Sequence, residues 1–231
     1  MTLLNKYIPT EFNQIIGNEK KYQLLEKDIV KNKFRGKYLI HGKSSLGKTS
    51  FVNVFSIKYK YILKKINILD IDIDLFNYSF FIKKIILIDE INTVNLKPNQ
   101  KKKIITCIKN LYDILNNDSQ NLIILIADTK LKEFKKIKDL NIYPLRKFND
   151  KKLHPFIENI FIKENIKYSS KTKEQIFDNL IQHSNSNITK IFLNIDAFIL
   201  NNKKTIRDNE KNRNKIINSN QDVFINDTYD I

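Results

Sequence analysis

Residues 42–49 read Gly-Lys-Ser-Ser-Leu-Gly-Lys-Thr, and no other stretch restricts the fold so tightly. They follow a strand-like run, Lys37-Tyr38-Leu39-Ile40-His41, precede a helix-like one, and fit G-x-x-x-x-G-K-[ST], the phosphate-binding P-loop. Gly42 and Gly47 free the backbone to turn the N–H groups of Lys43, Ser44, Ser45, Leu46 and Ser50 toward a phosphate chain. Lys48 supplies a mobile cation for the outer phosphates, and the Thr49 hydroxyl suits a Mg²⁺ shell otherwise made of phosphate and water. A helix starting near Thr49 directs its positive end at the same anion. Only four glycines occur in 231 residues, and two occupy the motif's required positions. The chain's own residue frequencies would give such a match in roughly one of a thousand sequences. These residues point to ATP bound with Mg²⁺.

Forty residues downstream, Lys84-Ile85-Ile86-Leu87-Ile88-Asp89-Glu90 has the pattern of a buried strand ending in two acids, a Walker B motif. Ligands of open α/β sheets gather beyond the carboxyl ends of the strands, so both acids are expected to face the nucleotide. Asp89 is the expected partner of Thr49 in holding the metal. Glu90 is the expected general base for the attacking water.

The formal net charge is +16, and residues 1–150 hold 28 basic against 15 acidic groups, compared with 13 and 10 in the remainder. An anionic partner is therefore expected to meet the first part of the chain. Lys101, Lys102 and Lys103 lie on a helix after Pro98, backed by Ile104, Ile105, Ile108, Leu111 and Leu115. That triplet is either a solvated face or a nucleic-acid contact. No apolar run approaches the roughly 20 residues a membrane helix needs, so no membrane is expected. Cys107 is the only cysteine, which excludes an intramolecular disulfide and points to an intracellular, reducing location. His41, His154 and His183 are too dispersed for a metal site of their own.

The spacing of Tyr22, Leu25, Ile29 and Val30 predicts a helix before Gly36. Strands are predicted at 37–41, 66–73, 84–90, 121–127 and 142–148, with the short loop Leu-Phe-Asn-Tyr-Ser-Phe-Phe between the second and third. From Asp150 the pattern changes to three amphipathic helices, with Asp150, Ser170 and Asn187 as N-caps. Residues 1–149 should form a nucleotide-binding α/β domain and 150–200 a helical one. The polar stretch 201–231 is expected to be partly disordered or ordered by a partner.

This order of motifs resembles the AAA+ ATPases, which implies an α/β P-loop module with a parallel five-stranded sheet followed by a small three-helix lid. Two further stretches, Lys-Tyr-Ile-Pro-Thr-Glu-Phe-Asn-Gln-Ile-Ile-Gly-Asn from Lys6 and Ile-Tyr-Pro-Leu-Arg-Lys-Phe from Ile142, resemble DNA clamp loaders, most like the large subunit of replication factor C. The resemblance covers about residues 5–200. It implies that Tyr7, Ile8, Pro9 and Ile16 wrap the adenine and that Asp128 stands where clamp loaders orient the attacking water, with Thr129 beside it. It also puts Asn141 at the position of their arginine finger, and Thr189, next to Lys190, where their lid presents an arginine to the γ-phosphate. Lys190 is the candidate lid contact. The four arginines, Arg35, Arg146, Arg207 and Arg213, lie elsewhere. Lysine does not reproduce an arginine clamp, so hydrolysis should be weak or completed by a partner. The C-terminal collar through which clamp loaders assemble is not evident, unless 201–231 is its remnant.

The function this resemblance implies is that of an ATP-binding subunit in a hetero-oligomeric clamp loader, working with other subunits and a sliding clamp on primer–template DNA at the site of replication. Two alternatives share the fold. One is a structural subunit of a replication complex that does not hydrolyse ATP. The other is a DNA-associated AAA+ initiator or helicase-loading factor.

Overall fold

The computed structural model describes residues 2–68, 83–91, 97–147, 150–166 and 173–200, with Glu90 described in its backbone only. The described chain falls into two compact units, one running from Tyr7 to Lys152 and the other joining residues 2–6 to 153–200.

The first unit is built on five parallel strands, β1 (Gly36–His41), β2 (Ile62–Asn67), β3 (Lys84–Ile91), β4 (Leu122–Ala127) and β5 (Leu140–Pro144), in the order β2-β3-β4-β1-β5. Aliphatic runs place β1, β3 and β4 in the middle: every residue of β4 is buried, as are Tyr38, Leu39 and Ile40 of β1 and Ile85 to Ile88 of β3. Such continuous burial requires cover on both faces, as parallel sheets have. On one face, Ile104 and Ile108 of α4 (Pro98–Asn110), with Leu111 and Leu115, join Ile86, Ile88, Ile123 and Leu125. Helix α5 (Tyr112–Asn117) follows after a break at Leu111. A 3-10 turn, Lys132–Lys136, adds Phe134 to the same core, flanked by Leu131 and Ile137; their three-residue spacing matches the period of that helix. Helices α2 (Glu19–Lys31) and α3 (Lys48–Tyr59) meet through an aromatic stack in which the rings of Tyr22 and Phe51 are 4.9 Å apart. Phe12 and Phe55 extend it at 5.3 and 5.8 Å from Phe51. Burying one such ring contributes about 1.5–3 kcal/mol.

The sequence places two strands and one residue differently. The second strand begins at Ile62 rather than at residue 66, and positions 69–82, with the loop they contain, lie outside the described residues. Its first residues, Ile-Leu-Lys-Lys, lack a clean alternation because β2 is an edge strand, with Ile62 52% exposed. The last strand is Leu140–Pro144 rather than 142–148, and Pro144 closes it at the sheet edge, where a missing N–H costs least. Val30 is 40% exposed, on the solvent side of α2.

In the second unit, α1 (Leu3–Lys6) is tied to the last described helix by the Leu3 N–H, which donates to both Asp196 carboxylate oxygens at 3.2–3.3 Å. Helices α6 (Leu153–Lys163), α7 (Lys173–Ser184) and α8 (188–200) pack through Ile157, Phe161, Phe177, Ile181, Ile191 and Ile195. Asn187 caps α8, its Oδ1 accepting the Lys190 N–H at 3.0 Å. Ser170 and the stretch 201–231 lie outside the described residues. Among the described residues, no helix is long and apolar enough to cross a membrane.

Candidate nucleotide site

The loop between β1 and α3 carries the first motif. Gly47 has φ +86°, and a Cβ there would come within 2.7 Å of the Ile15 methyl, so glycine is required for both conformation and space. Above it, the Tyr22 hydroxyl donates to the Leu46 carbonyl at 2.8 Å. Burial pushes the Tyr22 phenol well above its usual range, so it remains a donor. At the start of the loop the Gly42 N–H bonds the Ala127 carbonyl at 3.2 Å and the Leu145 N–H bonds the His41 carbonyl at 2.8 Å. The loop is thus anchored to β4, to the segment after β5 and to α2.

Lys48 is 8% exposed, and its ammonium lies back on the loop, donating to the Gly42 carbonyl at 2.6 Å and the Lys43 carbonyl at 2.7 Å. Burial lowers its pKa, and the negative charges of Asp89 and Asp128 oppose that shift. Both acids therefore share the field of this cation. His41, at the end of β1, is also held below its usual range, by burial and by Lys130 and Lys48.

The two motifs meet at the carboxyl end of the sheet. Thr49 Oγ1 donates to Asp89 Oδ2 at 3.1 Å, and Asp89 is 5% exposed. A hydroxyl and a carboxylate oxygen at this separation are a donor set suited to a hard divalent cation. The Lys65 ammonium, from β2, also lies 3.0 Å from Asp89 Oδ2. No sequence motif marks Lys65. Asp128 follows β4, where its carboxylate accepts the Thr129 hydroxyl at 3.2 Å. The side chain of Glu90 lies outside the described residues.

Of the four adenine candidates, Tyr7, Pro9 and Ile16 are half-buried and Ile8 is 56% exposed. The neighbouring Ile15, 4% exposed, is the residue that packs against Gly47. Lys190 belongs to the second unit, on the first turn of α8. Lys101, Lys102 and Lys103 are exposed on α4. Asn141 lies within β5, its side-chain amide donating to the Lys37 carbonyl at 3.4 Å. Among the described residues no cluster of histidines, cysteines and acids could hold a metal by itself.

The opening and junction stretches are joined by a reciprocal pair. The Asn18 side chain donates to the Arg146 carbonyl at 3.0 Å and accepts the Arg146 N–H at 2.9 Å. Glu19 and Lys152 form an exposed ion pair at 3.4 Å nearby. These stretches hold the edge of the sheet to the start of α2, a scaffolding duty that does not specify a substrate.

No protein-family model and no curated protein matches the sequence. Solved structures do match the fold. An arginine-to-alanine variant of RuvB from Thermotoga maritima is 14% identical, with a TM-score of 0.55 over 86% of this chain and 67% of that chain. A lysine-to-arginine mutant of the same protein is 13% identical, with the same TM-score and coverage. The Holliday junction branch migration motor of that organism, also RuvB, matches at a TM-score of 0.48 and 13% identity, over 81% of this chain and 72% of that chain. These matches correct the clamp-loader assignment: the solved structures are RuvB, not replication factor C subunits. Sliding-clamp loading, clamp-loader partners and primer–template DNA are withdrawn with it. The fold itself is established: a P-loop α/β fold of the AAA+ kind, with a parallel five-stranded sheet and helical extensions.

Proposed function

We propose that this chain is a P-loop ATPase of the AAA+ kind that acts on DNA. The observation carrying the proposal is the Thr49–Asp89 hydrogen bond, which brings the ends of two motifs 40 residues apart to one point beyond the sheet. In this account the loop from Gly42 to Ser50 cradles the triphosphate, and Lys48 leaves the Gly42 and Lys43 carbonyls for the outer phosphates. Thr49 and Asp89 would hold Mg²⁺, which when bound neutralises charge on the phosphates. Glu90 takes the proton of the attacking water, and Asp128, with Thr129, orients that water. Ile15 and Ile16, with Tyr7, Ile8 and Pro9, supply the apolar surface for the base.

DNA as the partner is supported by the basic excess in residues 1–150 and by the exposed lysines of α4. The RuvB likeness makes branched DNA the first substrate to try. The protein would then act inside the cell, on DNA. Slow turnover fits the scarcity of arginine, with four in the chain and none within the two motifs. The second reading, nucleotide binding without turnover, is favoured by the same scarcity.

The test is ATP hydrolysis by the full chain with and without a four-way DNA junction. Slow hydrolysis that disappears in Glu90→Gln is expected; turnover unaffected by that change would remove Glu90 as the base, and no hydrolysis under any condition would favour the second reading. Replacing Lys101, Lys102 and Lys103 by glutamate should weaken junction binding and reduce its salt dependence by about two to three in log–log slope. An unchanged slope would assign the triplet to solvent.

A further inference from the structure

Asp89 is a carboxylate almost withdrawn from water, and a buried carboxylate needs a compensating cation at all times. Among the described residues, the Thr49 hydroxyl lies 3.1 Å and the Lys65 ammonium 3.0 Å from its Oδ2. They approach from opposite flanks of the sheet order. Thr49 lies on the helix after β1, whereas Lys65 comes from the edge strand β2, paired opposite Leu87 on β3. The partners differ in exposure: the Asp89 side chain is 7% exposed and the Lys65 side chain 49%, so the ammonium has a path to water that the carboxylate lacks.

We infer that Lys65 is a positioning residue that stands in for the divalent cation at Asp89 and gives way to it when nucleotide and metal enter together. This inference rests on the nucleotide site proposed above. A monovalent ammonium lies on the oxygen that a metal would use. It sets a threshold, because metal entry must displace or repel a charge a few ångströms away. Free ATP should gain from the same charge. Lys65 thus narrows the difference between affinities for ATP with and without metal.

The experiment is titration of the full chain with a fluorescent ATP analogue, once in Mg²⁺ and once in EDTA, for wild type, Lys65→Met, Lys65→Gln and Lys65→Arg. Removing the charge should raise the ratio of Mg²⁺ to EDTA affinity by about tenfold in both neutral variants, through tighter binding with metal and weaker binding without it. Lys65→Arg, which keeps the charge, should stay within about twofold of wild type. A ratio unchanged in both neutral variants would overturn the inference, as would a ratio that falls in all three. Wild type that binds no analogue in either buffer would overturn the nucleotide site itself, and this inference with it.

Discussion

The Thr49 hydroxyl and the Asp89 carboxylate are 3.1 Å apart, linking the helix that follows the phosphate loop to the end of the third strand. Among the described residues, this bond joins the two motifs directly. Thr49→Val keeps the side chain's shape and removes the donor. The expected outcome is about tenfold weaker binding of an ATP analogue in Mg²⁺ with little change in EDTA, a selective loss that identifies Thr49 with the metal. Equal weakening in both buffers would make Thr49 a packing residue.

Asn18 serves backbone and partner at once. Its φ is 58°, in the left-handed region that asparagine tolerates better than most residues, and its amide makes both hydrogen bonds to Arg146. Asn18→Gly should lose only the hydrogen bonds, about 1 kcal/mol, whereas Asn18→Ala should also carry backbone strain and lose about 2 kcal/mol. Urea denaturation of the two variants checks the order. Equal losses would remove the backbone contribution.

The phosphate loop was legible in the sequence because its chemistry needs particular backbone freedom, and glycine is scarce enough here for Gly42 and Gly47 to stand out. The central strands were equally legible, since Ile85–Ile88 and Leu122–Ile126 can only be buried. The edge strands were not: β2 and β5 each have one open side, and their half-exposed residues blur the alternation. Lys65 escaped notice because its role depends on where β2 lies beside β3, which no local spacing encodes. Ile15 and Ile16 are neighbours in one apolar pair, and only the packing against Gly47 singles out Ile15. The clamp-loader resemblance misled because the stretches that carried it are the clasp between Asn18 and Arg146, a feature of scaffolding.

His41 provides a pH test. Its folded pKa is depressed below the ordinary 6.5 by burial and by Lys130 and Lys48. Between the folded and the unfolded pKa the unfolded chain binds more protons, so His41 contributes stability fully above about 6.5 that is lost as pH falls through the folded pKa. Wild type should therefore lose more stability than His41→Gln between pH 7 and pH 5, measured by urea denaturation. Parallel curves would show that His41 does not drive the loss.

The most direct measurement is equilibrium binding of a fluorescent ATP analogue to the full chain in Mg²⁺, comparing wild type with Lys48→Ala. Lys48 is the buried cation at the centre of the loop, and its charge-assisted bonds to phosphate should be worth about 1.5–3 kcal/mol each. Saturable binding by wild type, weakened about a hundredfold or more in a Lys48→Ala variant that keeps its fold, is the expected result. Equal affinity in the two proteins would contradict the nucleotide site on which the whole account stands.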